Sequence, residues 1–214
     1  MKTKIALFIL LAVGQIGFTQ GFVNLNFESA QIKNLTGNQI PAANAFPSWT
    51  VNAPYIYYDD LSLSGQSISI CDQNSPIFPS QIQGNYYALL TSANVQNGVS
   101  ISLGQNGTIP LGTESMTFWG NFGGLQISFA GQALTFSETG STANYNIYKA
   151  DVSQFAGDSG QLLFSLPPFV GNATLDNIQF SSSPVPEPGE LTLMVLGMAL
   201  LGLRHQIKFT KSEL

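Results

Sequence analysis

From residue 84 to residue 180 apolar and polar side chains alternate in short bursts, as in Val99, Ile101 and Leu103 and again in Ile127 and Phe129. A period of two puts successive side chains on opposite faces of an extended strand, so one face meets a core and the other meets water. The bursts "GNYYALL", "VSISLGQ", "SMTFWGNF", "LQISFAG", "ALTFSE", "YNIYKADV", "QLLFSL" and "ATLDNIQF" are rich in β-branched and aromatic residues and are separated by Gly, Asn, Pro and Ser. No segment carries the pattern of an ordinary helix. The body is therefore expected to be all-β, an antiparallel two-sheet sandwich. Asn97-Gly98 marks a hairpin between Tyr87 and Ile101, and Asn106-Gly107 a second turn of the same kind. In "DVSQFAGDSG" a short turn is expected, with Phe155 plugging the core and residues 158–160 making the return. No repeat of propeller or solenoid length is visible.

Charge narrows the partners. Only 9% of the 214 residues are charged while 44% are hydrophobic, so a core can be covered by neutral polar groups. Lys2 and Lys4 open the chain, and Arg204, Lys208 and Lys211 close it. Between residues 22 and 180 only Lys33 and Lys149 remain, with no Arg and no His, against nine carboxylates, a net charge of −7. Such a body cannot neutralise phosphates, which argues against nucleic acid, whereas neutral ligands and divalent cations stay open. Cys71 is the sole cysteine, so no intramolecular disulfide and no thiolate zinc site can form; a small buried side chain is its ordinary role.

Both ends read as addresses. Residues 1–21, "MKTKIALFILLAVGQIGFTQG", run from two lysines through an apolar stretch to small residues, the order of a secretory signal peptide; a membrane-retained N-terminus is the alternative. Residues 191–203, "LTLMVLGMALLGL", are uncharged and about 20 Å long as a helix, short for a hydrocarbon core of about 30 Å. Arg204, His205 and Lys208 follow and favour the cytoplasmic side.

Pro186, Glu187 and Pro188, then an apolar helix with Gly197 and Gly202, then a basic cluster at Arg204, resemble a PEP-CTERM sorting signal over residues 184–208. The resemblance implies export, transient anchoring in the membrane through the C-terminal helix, processing by an exosortase-type sorting enzyme, and residence at the bacterial cell envelope, surface or extracellular matrix. This copy departs from the pattern in its weak basic cluster and in the "IKFTKSEL" that runs on beyond it. The expected organisation is a signal peptide at 1–21, a β-sandwich at 22–181, a Pro/Ser linker at 182–190, a hydrophobic sorting helix at 191–203 and a basic tail at 204–214.

The opening "NLNFESA", the closing "ATLDNIQF", the residue 105–110 turn and "YKADVSQFAGDSGQLLFS" resemble the jelly-roll domains of carbohydrate-binding modules. In such domains a structural Ca2+ often ties the first strand to the last, and the resemblance places its ligands here at Glu28 and Asp176. The alternative is that both acids cap strand ends near water.

Catalytic candidates are few. The single His205 lies in the tail, so a Ser/His/Asp triad and a His-ligated metal lack their key residue. Lys33 and Lys149 sit in no nucleophile motif, and no carboxylate pair stands out, Asp59 and Asp60 reading as a solvated turn. Sugar stacking needs flat exposed rings, for which "FPSWTVNAPYIYY" offers Trp49, Tyr55, Tyr57 and Tyr58; half-packing against the sandwich is the competing reading, and Trp119 reads as core. The sequence thus points to an exported, non-enzymatic surface or matrix protein that binds polysaccharide, with a carboxylate-dependent glycosidase or lyase as the alternative.

Overall fold

The computed structural model describes residues 21–33, 36–60, 65–75, 83–92, 98–121 and 123–185. The expected signal peptide, the Pro186, Glu187 and Pro188 motif, the apolar segment 191–203 and Arg204 lie outside the described residues. Among the described residues no helix is long and apolar enough to cross a membrane.

The strands in chain order are β1 (Thr50–Asn52), β2 (Tyr55–Tyr58), β3 (Ser67–Asp72), β4 (Tyr86–Thr91), β5 (Ile101–Thr108), β6 (Ser115–Gly120), β7 (Gln126–Phe129), β8 (Gln132–Leu134), β9 (Phe136–Ser141), β10 (Asn146–Asp151), β11 (Ser159–Leu166) and β12 (Asn172–Ser181). They form a five-stranded sheet in the order β1-β5-β11-β7-β8 and a seven-stranded sheet in the order β2-β3-β4-β12-β6-β10-β9. The expected all-β two-sheet sandwich is present. Among these named strands the pairing is antiparallel except at one edge, where β2 runs parallel to β3.

Alternation decides which side chains enter the core. Met116 and Phe118 on β6, Leu162, Phe164 and Leu166 on β11, and Ile68 and Ile70 on β3 point inward and are fully or almost fully buried. Phe118 lies at the centre, its ring centroid 5.4 Å from Phe136, 5.6 Å from Tyr148 and 5.9 Å from Phe164. Each such ring contributes about 1.5–3 kcal/mol through burial. A single-turn helix, α1 (Ala42–Ala45), is the one α-helix among the described residues. As expected, Phe155 plugs the core, from a 3-10 turn at Ser153–Phe155, with its ring 5.1 Å from Phe129.

Three local expectations are corrected. Residues 24–30 form turns, not a first strand, because Asn24 and Phe27 take positive φ of 52° and 57°. The Gln105 side chain holds this segment instead, accepting from the Val23 amide at 2.7 Å and donating to the Val23 carbonyl at 2.9 Å. Asn106-Gly107 lies inside β5, paired to β11, so residues 105–110 make no hairpin turn. Gly98 does not join a hairpin either, since β4 and β5 belong to different sheets and the chain crosses between them.

Candidate functional site

Strand β2 carries the aromatic run. Its register sets Ile56 against Ile68 and Tyr58 against Ile70, facing the core, so Tyr55 and Tyr57 fall on the outer face. Tyr55 is 39% exposed and Tyr57 is half-buried, and their rings stack with centroids 6.1 Å apart and planes 22° apart. Tyr58 is different. Its hydroxyl donates to Asp72 Oδ2 at 2.8 Å, and burial, then that bond and neighbouring negative charge, raise its pKa above the usual phenol value.

Trp49 is corrected from a rim residue to a core residue. It is 7% exposed, sits between Phe27 at 5.5 Å and Phe164 at 6.3 Å, and donates from Nε1 to the Asn24 carbonyl at 3.0 Å. Trp119 moves the other way. With Met116 and Phe118 inward, alternation turns Trp119 to the outer face of the seven-stranded sheet, where it stacks on Tyr145 at 4.8 Å and 9° beside the buried Cys71, Tyr87 and Leu89. This second ring pair was legible in the order Met-Thr-Phe-Trp, had the face been assigned before the hydrophobicity.

The carboxylates gather at one end of the sandwich. Asp59 and Asp60 leave β2, and Asp72 ends β3 beside them. Asp59, at a φ of 47°, accepts the Asp72 amide at 2.9 Å, and burial raises its carboxyl above the usual range. It is half-buried and not a free solvated turn; Asp60 accepts from Asn38 Nδ2 at 2.9 Å. Glu114, Asp151 and Asp158 flank the strands that start or finish at this same end. Here a polar cleft of about 410 Å³ is lined by Glu28, Lys33, Asp72, Gln73, Asn85 and Tyr86.

Glu28 and Asp176 do come to one neighbourhood. Glu28 Oε1 accepts the Asn85 and Tyr86 amides at 2.7 and 2.9 Å, and Oε2 accepts from Asn85 Nδ2 at 2.9 Å. Asp176 is fully buried at a bulge in β12, with Asn177 at a φ of 46°. Its Oδ1 accepts the Asn177 amide at 2.6 Å, while Oδ2 and the nearby Gln83 Oε1 find no hydrogen-bond partner among the described residues. Burial pushes the Asp176 carboxyl up to about 8; the charge of Glu28 adds to the rise, and bonds from the Asn177 and Gln83 amides oppose it. A buried carboxylate oxygen and a buried amide oxygen, each without a hydrogen-bond partner among the described residues, are donors suited to a hard cation. Among the described residues no group of three or more His, Cys, Asp or Glu side chains gathers as a metal site, so backbone or amide oxygens must complete such a shell.

No family model and no curated protein matches this chain. Solved structures do. A Stig cyclase, Fisc, from Fischerella sp. TAU is 13% identical, with a TM-score of 0.43 over 78% of this chain and 98% of that one. TmCBM61, in complex with β-1,4-galactotriose, is 14% identical, with a TM-score of 0.37 over 76% and 97%. The enzymatically active domain of bacteriophage CBA120 tailspike protein 4 is 14% identical, with a TM-score of 0.41 over 67% of this chain and 21% of that one. This chain thus spans about a fifth of that tailspike domain. The expectation of a non-enzymatic protein is corrected: these solved structures include enzymes as well as a binding module, and they assign neither role to this chain.

Proposed function

We infer that the sandwich is an exported domain that engages polysaccharide through aromatic stacking. The observation that carries this reading is the Tyr55 and Tyr57 pair, two parallel rings standing outward on an edge strand of a body with no Arg and no His. Flat rings bind the apolar faces of sugars, and hydroxyl-rich neighbours satisfy the rest. Affinity electrophoresis of the protein through gels containing soluble polysaccharides tests it. Retardation that Tyr57→Ala abolishes supports the reading, and migration unaffected by every polymer overturns it.

Glu28, Asp176 Oδ2 and Gln83 Oε1 are proposed to hold a structural Ca2+, which would supply a positive charge to the buried carboxylate and tie the segment before α1 to β12. Its test is thermal unfolding with and without chelator: an unchanged melting temperature removes the cation from the account. Export and sorting through the Pro186, Glu187, Pro188 and Arg204 signal, with an exosortase-type enzyme as partner, remain part of this reading. A fluorescent fusion lacking residues 186–208 that still reaches the outside and stays attached contradicts it.

The acidic cleft favours a second reading, carboxylate-dependent processing of polysaccharide by a glycosidase or lyase. Asp72 and Glu28 both line it, and two carboxyl groups across a cleft are what glycoside cleavage requires. New reducing ends, or unsaturated products, that disappear in Asp72→Asn support this reading.

A further inference from the structure

The sandwich is electrically one-sided. Residues 50–58, 61–71, 73–113, 115–137 and 159–175 contain no Asp, Glu, Lys, Arg or His. The described strand ends opposite the acidic cleft, where β2 and β3 begin, β4 and β11 finish, and β5 and β12 begin, are drawn from these segments. Among the described residues that end is uncharged.

It also displays aromatic and apolar side chains. Register places Tyr55, Ser67, Thr91 and Asn172 in one row across β2, β3, β4 and β12. Three strand spacings separate the ends of the row, about 14 Å. Just before Asn172, Phe169 is 63% exposed at a φ of 65°, a left-handed conformation that a bulky residue rarely adopts. Observed backbone strain of this kind persists only where its surroundings enforce it. Here Ser92 does so, donating its amide to the Gly171 carbonyl at 2.8 Å and its hydroxyl to the Pro167 carbonyl. Pro167 and Pro168 fix the approach, and Val170 leans on Gly124 so closely that a Cβ there would lie 2.3 Å from Val170 Cγ1. The loop is braced from three sides to hold one apolar ring in water. In the row beneath it, Thr91 is 5% exposed and its Oγ1 finds no hydrogen-bond partner among the described residues.

We propose that this end binds an uncharged polysaccharide, with Phe169 stacking at one side and Tyr55 at the other. The inference rests on the polysaccharide reading above and adds to it a second contact and a substrate class. An anionic polymer, such as a polyuronate, meets no cation here and faces a body of net negative charge, so the site discriminates against it. The length of the row, about 14 Å from Tyr55 to Asn172, suits a short oligosaccharide lying across it.

Affinity electrophoresis with a neutral glucan, a neutral galactan and polygalacturonate tests this, using the wild-type protein, Phe169→Ala, Phe169→Tyr and Tyr57→Ala. The expected result is retardation by at least one neutral polymer and none by polygalacturonate. Phe169→Ala should weaken binding about tenfold or more, and Phe169→Tyr should restore it. Phe169 is exposed, so an unchanged unfolding midpoint accompanies the loss. If Phe169→Ala binds like wild type while Tyr57→Ala does not bind, this inference falls and the broader reading stands. If polygalacturonate retards the protein as strongly as the neutral polymers, the charge argument is overturned. If no polymer retards the wild-type protein, both fall.

Discussion

Glu28 Oε1 accepts the backbone N–H of Tyr86 at 2.9 Å, binding the irregular N-terminal segment to the start of β4. The same oxygen serves the Asn85 amide, and a Cβ on Gly84 would collide with it at 2.3 Å, so one carboxylate closes this corner of the sandwich.

Glu28→Ala leaves those two amides without an acceptor. Loss of a charged hydrogen bond costs about 1.5–3 kcal/mol, counted for the part-buried Tyr86 amide and discounted for the exposed Asn85 amide, where water replaces the acceptor. A fall of about 2 kcal/mol in unfolding free energy is expected by urea titration; an unchanged midpoint contradicts the strap.

Asp176 makes the metal-free protein sensitive to pH. Its carboxyl is raised from the ordinary 3.8 to about 8, so across that window the folded state holds a proton that the unfolded state has lost. Stability from this group is therefore highest on the acid side and declines as pH rises toward 8. In chelator, the melting temperature should fall between pH 5 and pH 8, and Asp176→Asn should flatten the slope. A wild-type slope identical to that of the variant contradicts the assignment.

Trp49 belongs to stability and not to binding. Trp49→Ala removes a ring packed between Phe27 and Phe164 and should cost about 3–5 kcal/mol, read by chemical denaturation. Tyr57→Ala, on the outer face, should change stability by less than about 1 kcal/mol. Equal destabilisation by the two substitutions would reverse their assignments.

Cys71 should be inert in the folded protein. It is fully buried, and burial followed by the charge of Asp59 pushes its thiol up to about 12. A thiol held protonated is a poor nucleophile, so reaction with a disulfide reagent at pH 8 should await unfolding in denaturant. Rapid labelling of the native chain would contradict this.

The sandwich was legible in the sequence because the period-two pattern of β6, β7 and β11 is set by burial on one face alone. Phe155 was legible for the same reason, as an isolated aromatic between polar turn residues. Sequence pattern misplaced residues 24–30, since the positive φ of Asn24 and Phe27 comes from tertiary contacts that hydrophobicity does not encode. It also misread Asn106-Gly107, a turn dipeptide that β11 holds extended through cross-strand pairing. At the candidate site, residue type alone grouped Tyr55, Tyr57 and Tyr58 as exposed rings, whereas alternation along β2 sends Tyr58 to the core face. Trp49, six residues before Tyr55, looked equivalent by residue type, yet the turn at Pro47 and Ser48, with Ser48 at a φ of 72°, directs it inward. Phe169 gave no signal at all, because its exposure depends on Ser92, which is remote in the chain.

The most direct measurement is of the rings themselves. Aromatic NMR resonances of Tyr55, Tyr57 and Phe169 should shift progressively when a soluble neutral oligosaccharide is added, while those of Trp49 and Phe118 stay still. Saturating oligosaccharide that moves none of the three outer rings, or that moves the core rings equally, would contradict recognition of polysaccharide by this surface.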